Sequence, residues 1–284
     1  MKVLYFDLER GHQTLGSRKG IQTMFGYPVL SPHTWDEFQQ IISQIYTTQK
    51  VERINKIGDI EVKEQETVVV PKNGTIVDAI VLDTFSELSK KFQRSLTDKT
   101  GKMKLQEWGK LKNKLDTCLE FISRIPGVVI LTCHAKTQTM DDGVNKIVPY
   151  IDGSTKEDIS KWFDFVFYTA TIKDGKDRKY VWITKRDEKY DHAKDRSDLL
   201  PEQMPQDFDE VIKATQAKGF ENCRILIIGS PGSGKTYSLA SLTQPKPDDK
   251  PNVAKEEYIN KGENNGYIYH NQERGRLYLL PRLA

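Results

Sequence analysis

The run GSPGSGKT, residues 229–236, satisfies the pattern G-x-x-x-x-G-K-[ST] in full. Apolar RILII precedes it and YSLASL follows it, so the glycine-rich turn lies between a strand and a helix. That context lets backbone N–H groups and the positive end of a helix face phosphates. On this reading Gly229, Ser230, Pro231, Gly232, Ser233, Gly234 and Tyr237 surround a nucleotide's phosphate chain. Lys235 reaches the β and γ phosphates, and Thr236 ligates Mg2+. The fold is thereby constrained to an α/β sheet, yet the run stands near the C-terminal end of a 284-residue chain. Nucleotide-hydrolysing domains mostly carry it near their beginning.

The remaining pattern agrees with an α/β fold. KVLYFDL is a short apolar strand, and HTWDEFQQIISQIY places Trp35, Phe38, Ile41, Ile42 and Ile45 at helical spacing. Residues 51–74 show β-type runs around Gly58-Asp59 and read as an inserted hairpin. DAIVLDTFSEL is a buried strand ending in Asp83 and passing into a helix. Met103, Leu105, Trp108, Leu111, Leu115, Leu119 and Ile122 predict one amphipathic helix with these residues turned inward. VVILTCH is the next buried strand, FDFVFYTATI and KYVWITKR form an antiparallel pair, and PQDFDEVIKATQAKG is helical. Apolar strands alternating with amphipathic helices give a mainly parallel sheet covered on both faces. The expected organisation is one domain over 1–244, then a polar linker and β-type tail over 245–284.

Strand ends supply the polar candidates. A phosphate loop calls for a neighbouring carboxylate that holds Mg2+ through water, and AIVLD offers Asp83. VLYFDLERG offers Asp7 and Glu9, and Glu9 is placed to orient an attacking water as general base. VVILTCHAK ends in His134, suited to contact a γ phosphate; a polar strand cap is the competing reading. Asp195 in HAKDRSD lies between Lys194 and Arg196, a solvated charge run or a cationic pair aimed at phosphate. The balance of 43 Lys and Arg against 40 Asp and Glu gives +3, so bulk charge does not announce a nucleic-acid binder. Cys118, Cys133 and Cys223 fit neither a metal spacing nor a disulfide framework. No stretch approaches the ~18 apolar residues of a membrane span. A soluble protein of a reducing cytoplasm is expected.

YFDLERG, IVLDTF, VILTCHAK and YVWITKRDEKYDHAKDR occur in the order in which RecA-like recombination ATPases carry their corresponding motifs, with only the phosphate loop displaced. Over residues 1–242 the chain resembles those ATPases, and most of all the compact phage-encoded RecA-like proteins that accompany single-strand annealing. The resemblance implies a RecA-like P-loop NTPase core with an antiparallel hairpin at one edge, Mg2+-dependent ATP hydrolysis and a ring or filament of identical subunits. It also implies single-stranded DNA as a partner, with an annealing or single-strand-binding protein beside it. By similarity Glu9 is the catalytic glutamate, Asp83 the magnesium-side aspartate, His134 the sensor, and Lys194 with Arg196 the basic pair that reaches a neighbour's ATP. The segments after Asp83's helix and after His134 occupy the places of DNA-binding loops and offer Arg94, Lys99, Lys102, Lys104, Lys136 and Lys146 to phosphates.

A displaced loop has two explanations. The chain is circularly permuted, with old termini joined around Gly219 and new ends cut after the phosphate-loop helix, a rearrangement tolerated where termini lie close. Alternatively, Ile225 onward opens a second, truncated domain. Two other functions compete with the DNA-linked one: an ATPase acting on a protein partner, and a nucleotide-dependent assembly protein with little turnover.

Overall fold

A computed structural model of the chain describes residues 1–57, 59–141, 143–174, 177–220 and 222–242, with the backbone of 270–271 and 276–277. In chain order the elements are β1 (Val3–Asp7), α1 (Arg18–Phe25), α2 (Trp35–Ile45), β2 (Tyr46–Ile57), β3 (Ile60–Pro71), β4 (Ala79–Asp83), α3 (Phe85–Leu96) and α4 (Leu105–Ser123). Then come β5 (Val128–Thr139), β6 (Asn145–Pro149), α5 (Thr155–Asp158), β7 (Phe165–Asp174), β8 (Asp177–Ile183), β9 (Lys194–Asp195), β10 (Gln203–Pro205), α6 (Phe208–Ala217), β11 (Cys223–Gly229) and α7 (Lys235–Ser238). Residues 1–243 form one compact unit. Within the second, 244–284, β12 (His270–Asn271) and β13 (Arg276–Leu277) pair antiparallel; the expected linker otherwise lies outside the described residues.

The main sheet runs β1-β4-β5-β11-β7-β8-β10, with β6 on β5 and β9 on β7. The first five strands are mutually parallel; β7, β8 and β10 continue antiparallel. β11 is hydrogen-bonded on both sides, to β5 and β7. This corrects the second-domain reading of Ile225 onward: the strand feeding the phosphate loop is an interior strand of the sheet that β1 begins. All its residues are buried, as a strand covered on both faces requires.

Alternation along the strands builds two cores. Leu4, Phe6, Ile80, Leu82, Val129, Leu131, Leu226 and Ile228 pack on Trp35, Phe38 and Ile42 of α2, Leu88 of α3, and Leu111, Leu115 and Leu119 of α4. Val3, Tyr5, Val81, Ile130, Ile225 and Ile227 face the other way, onto Ile21 and Phe25 of α1 and Phe208, Val211 and Ala214 of α6. Helix starts are capped by side chains that also deter the chain from continuing backwards as helix: Ser17 accepts from Gly20 N–H, Thr34 from Glu37, Thr84 from Glu87, Asp207 from Asp209. No helix among the described residues is long and apolar enough to cross a membrane.

Three expectations need adjusting. The inserted hairpin is longer than the 51–74 reading, pairing Tyr46–Ile57 with Ile60–Pro71. The helix expected from Met103 begins at Leu105, and its first turn leaves Leu105 88% and Trp108 40% exposed; the inward face starts only where sheet lies beneath it, at Leu111. The expected loop after His134 is instead an antiparallel arm, because β5 continues to Thr139 and pairs with β6. Alternation in AKTQT is too polar to announce a strand.

Candidate nucleotide-binding site

Parallel strands end on a common edge, and Asp83, Glu9 and His134 come from at or just past such ends. After Gly229 the chain turns and enters α7 at Lys235. The Lys235 ammonium is buried and donates to the carbonyls of Gly229 (2.9 Å) and Ser230 (3.0 Å). Burial lowers its pKa, and the charges of Asp83 and Glu9 offset part of that fall. The loop is fixed from outside as well as inside. Ser233 Oγ donates to Ser230 O at 2.7 Å and hydrogen-bonds Thr169 of β7. Gln206 Nε2 donates to Ser233 O at 3.1 Å. Gly234 sits at φ 92°, where a side chain is strained and its Cβ would come 2.6 Å from Gln206 Oε1.

Asp83 closes the side of the loop beside Thr236. Its buried carboxylate accepts from Thr236 Oγ1 at 2.7 Å, from Tyr5 OH at 3.1 Å and from the Thr132 hydroxyl. Burial raises its pKa; the three hydroxyls oppose that rise. Gly11 packs so closely that a Cβ there would lie 2.9 Å from Asp83 Oδ2 and 3.2 Å from Thr236 Oγ1. The donor set is all hard oxygen, one hydroxyl and one carboxylate. That set fits Mg2+, which takes few protein ligands and completes its shell with water and substrate phosphates. Thr236 and Asp83 are the residues that would hold it.

Glu9 is presented by a loop that Asp7 pins. The Asp7 carboxylate accepts from the backbone N–H groups of Glu9 (3.2 Å), Gly11 (2.8 Å) and His12 (3.3 Å), and pairs with the His12 ring. Glu9 itself meets His134 Nε2 at 2.6 and 2.8 Å and accepts from Thr84 Oγ1 at 2.6 Å. Burial pushes its pKa up, but the hydrogen bonds from His134 and Thr84 and the charge of Lys235 outweigh it, leaving a net lowering. Glu9 is therefore an ionised carboxylate beside the loop. His134 is anchored by its own N–H, which donates to Ser86 Oγ at 2.9 Å.

The loop opens into a cleft of ≈ 260 Å³ lined by Thr14, Tyr180, Gly232, Gly234, Lys235, Thr236 and Tyr237. The structure thus brings together Lys235, Thr236, Asp83, Glu9 and His134. It does not bring Lys194 and Arg196 to them. β9 pairs with the first residues of β7, toward the amino end of the parallel strands, while the loop lies at their carboxyl end. Lys194 Nζ donates to Phe163 O at 2.7 Å, and Arg196 pairs with Asp164 at 2.6 Å. Asp195 is likewise engaged, with Lys185, Ser197 and Leu200, so the charge run is held in ion pairs and hydrogen bonds, with Arg196 still exposed. Sequence reading missed Gly11, Tyr5, Thr84, Thr132, Thr169 and Gln206. Gly11 alone carried a trace, as the glycine closing FDLERG.

The model of a family described as AAA domain matches residues 1–197, and the chain belongs to that family. The matched span contains Glu9, Asp83 and His134 and stops before the phosphate loop. No curated protein and no solved structure matches the chain.

Proposed function

We propose that this AAA-domain chain hydrolyses Mg2+-bound ATP and couples the reaction to single-stranded DNA. The convergence of Lys235, Thr236, Asp83 and Glu9 on one sheet edge carries the first half. Lys235 and the backbone of the loop bind the phosphate chain, Thr236 and Asp83 hold the metal, and Glu9 accepts a proton from the attacking water. Mg2+ supplies charge neutralisation at the phosphates. Because Glu9's hydrogen bonds to His134 and Thr84 keep it ionised, it is in the form a base needs. The DNA half is supported by exposed Arg94, Lys99, Lys102 and Lys104 around the end of α3, and by exposed Lys136 on the β5–β6 arm. Lys146 is instead paired with Asp191 at 3.1 Å.

We further infer a circular permutation: β11, an interior strand, is the last that the described residues supply to the main sheet, and the chain turns at Gly219 after α6 before reaching it. ATP hydrolysis measured with and without single-stranded DNA tests the functional reading. Turnover that rises with the single strand supports it; turnover indifferent to DNA removes the second half.

A further inference from the structure

Tyr150 follows β6 and stands 37% exposed at the base of the β5–β6 arm. Two ammonium groups converge on its ring. Lys90 of α3 lies 4.8 Å from the ring centroid and Lys136 of β5 lies 5.6 Å from it. Lys90 is balanced by Glu87 at 2.5 Å, whereas among the described residues no carboxylate pairs with Lys136. Each ammonium over the ring is a stabilising cation–π contact in the free chain, yet the ring stays partly exposed and one of its cations has no counter-charge among the described residues. The same three groups suit a ligand that offers a π-face to exchange for an ammonium over the ring and negative charge for the ammonium to meet.

We propose that Tyr150 is a stacking platform for an unpaired base of single-stranded nucleic acid, with Lys90 and Lys136 taking the adjoining phosphates. The inference rests on the nucleic-acid reading above and deepens it by naming a contact. Stacking on an aromatic ring tolerates any base, and lysines track a backbone, so the site would bind strands without sequence preference. A duplex keeps its bases stacked on one another and cannot use the ring. The position also bears on the nucleotide site: Tyr150 N–H donates to His134 O at 2.7 Å, and His134 contacts Glu9 through Nε2. A strand held at Tyr150 lies one backbone hydrogen bond from the residue that touches the base.

The test is fluorescence anisotropy with a labelled oligothymidylate and a blunt duplex of equal length, over a range of salt. Tyr150→Ala should weaken single-strand binding about tenfold or more and leave duplex binding unchanged. Tyr150→Phe, which keeps the ring, should bind like wild type. Lys136→Ala should lower the slope of log affinity against log salt by about one. Equal single-strand binding by wild type and Tyr150→Ala, or equal loss for single strand and duplex, overturns the platform while leaving the nucleic-acid reading standing. A wild-type protein that binds no single strand overturns both.

Discussion

The Thr236 hydroxyl donates to the Asp83 carboxylate at 2.7 Å across 153 positions of sequence. It joins the phosphate loop to the strand that β1 flanks, and its two partners are the residues proposed to hold Mg2+. Asp83→Asn keeps the size of the side chain and removes the charge. Hydrolysis should fall by ~10²-fold or more with a raised Mg2+ requirement, and a Mg2+ titration of turnover checks this.

Gly11 is required by space rather than by backbone conformation. A Cβ would press on both Asp83 Oδ2 and Thr236 Oγ1, so Gly11→Ala should displace the metal ligands without unfolding the sheet. The expected outcome is an unchanged far-UV spectrum with turnover reduced at least tenfold. Full turnover in Gly11→Ala would show that the two oxygens do not need their present separation.

Glu9 titrates below its ordinary value, since hydrogen bonds from His134 and Thr84 overcome the upward push of burial. A lowered pKa means the folded chain holds that proton more weakly than the unfolded chain. Glu9 therefore adds stability above the ordinary carboxylate value of about 4.3, and that contribution is lost as pH falls through the lower folded value. Glu9→Gln should be less stable than wild type at neutral pH, with the gap closing below about pH 4.3 in urea titrations. Its turnover should drop ~10²- to 10⁴-fold while nucleotide binding persists.

The part of this site visible in the sequence by itself is GSPGSGKT after an apolar strand, whose chemistry has no common bland use at that spacing. Asp83, Glu9 and His134, at or just past the ends of apolar strands, have ordinary structural uses there and gained meaning only beside the phosphate loop. Supporting groups were invisible because they are ordinary strand residues: Tyr5 and Thr132 alternate in register with core positions, and only β4, which lies between their strands β1 and β5, gives them Asp83 to touch. Periodicity misled at Leu105 and Trp108, which repeat correctly but lie beyond the sheet that would cover them. Likewise Lys194 and Arg196 read as free cations because Asp164 and the Phe163 carbonyl, some thirty residues earlier in the chain, were not in view.

Those two cations now lead to a different expectation. Arg196 and Asp164 make a partly exposed pair, a kind worth ~0–1 kcal/mol, at the amino end of β7. Arg196→Ala should lower the melting temperature slightly and leave turnover within about twofold. A large loss of turnover without loss of stability would return Arg196 to the nucleotide of a neighbouring subunit.

Steady-state hydrolysis of Mg2+-ATP by wild type beside Lys235→Ala reaches the central claim most directly. The buried ammonium is the one cation that α7 points into the loop, and no other described group replaces its charge there. Wild type should turn over, and Lys235→Ala, folded by circular dichroism, should lose ~10²-fold or more. Comparable turnover by the two proteins would contradict the assignment of this loop as the site of phosphoryl transfer.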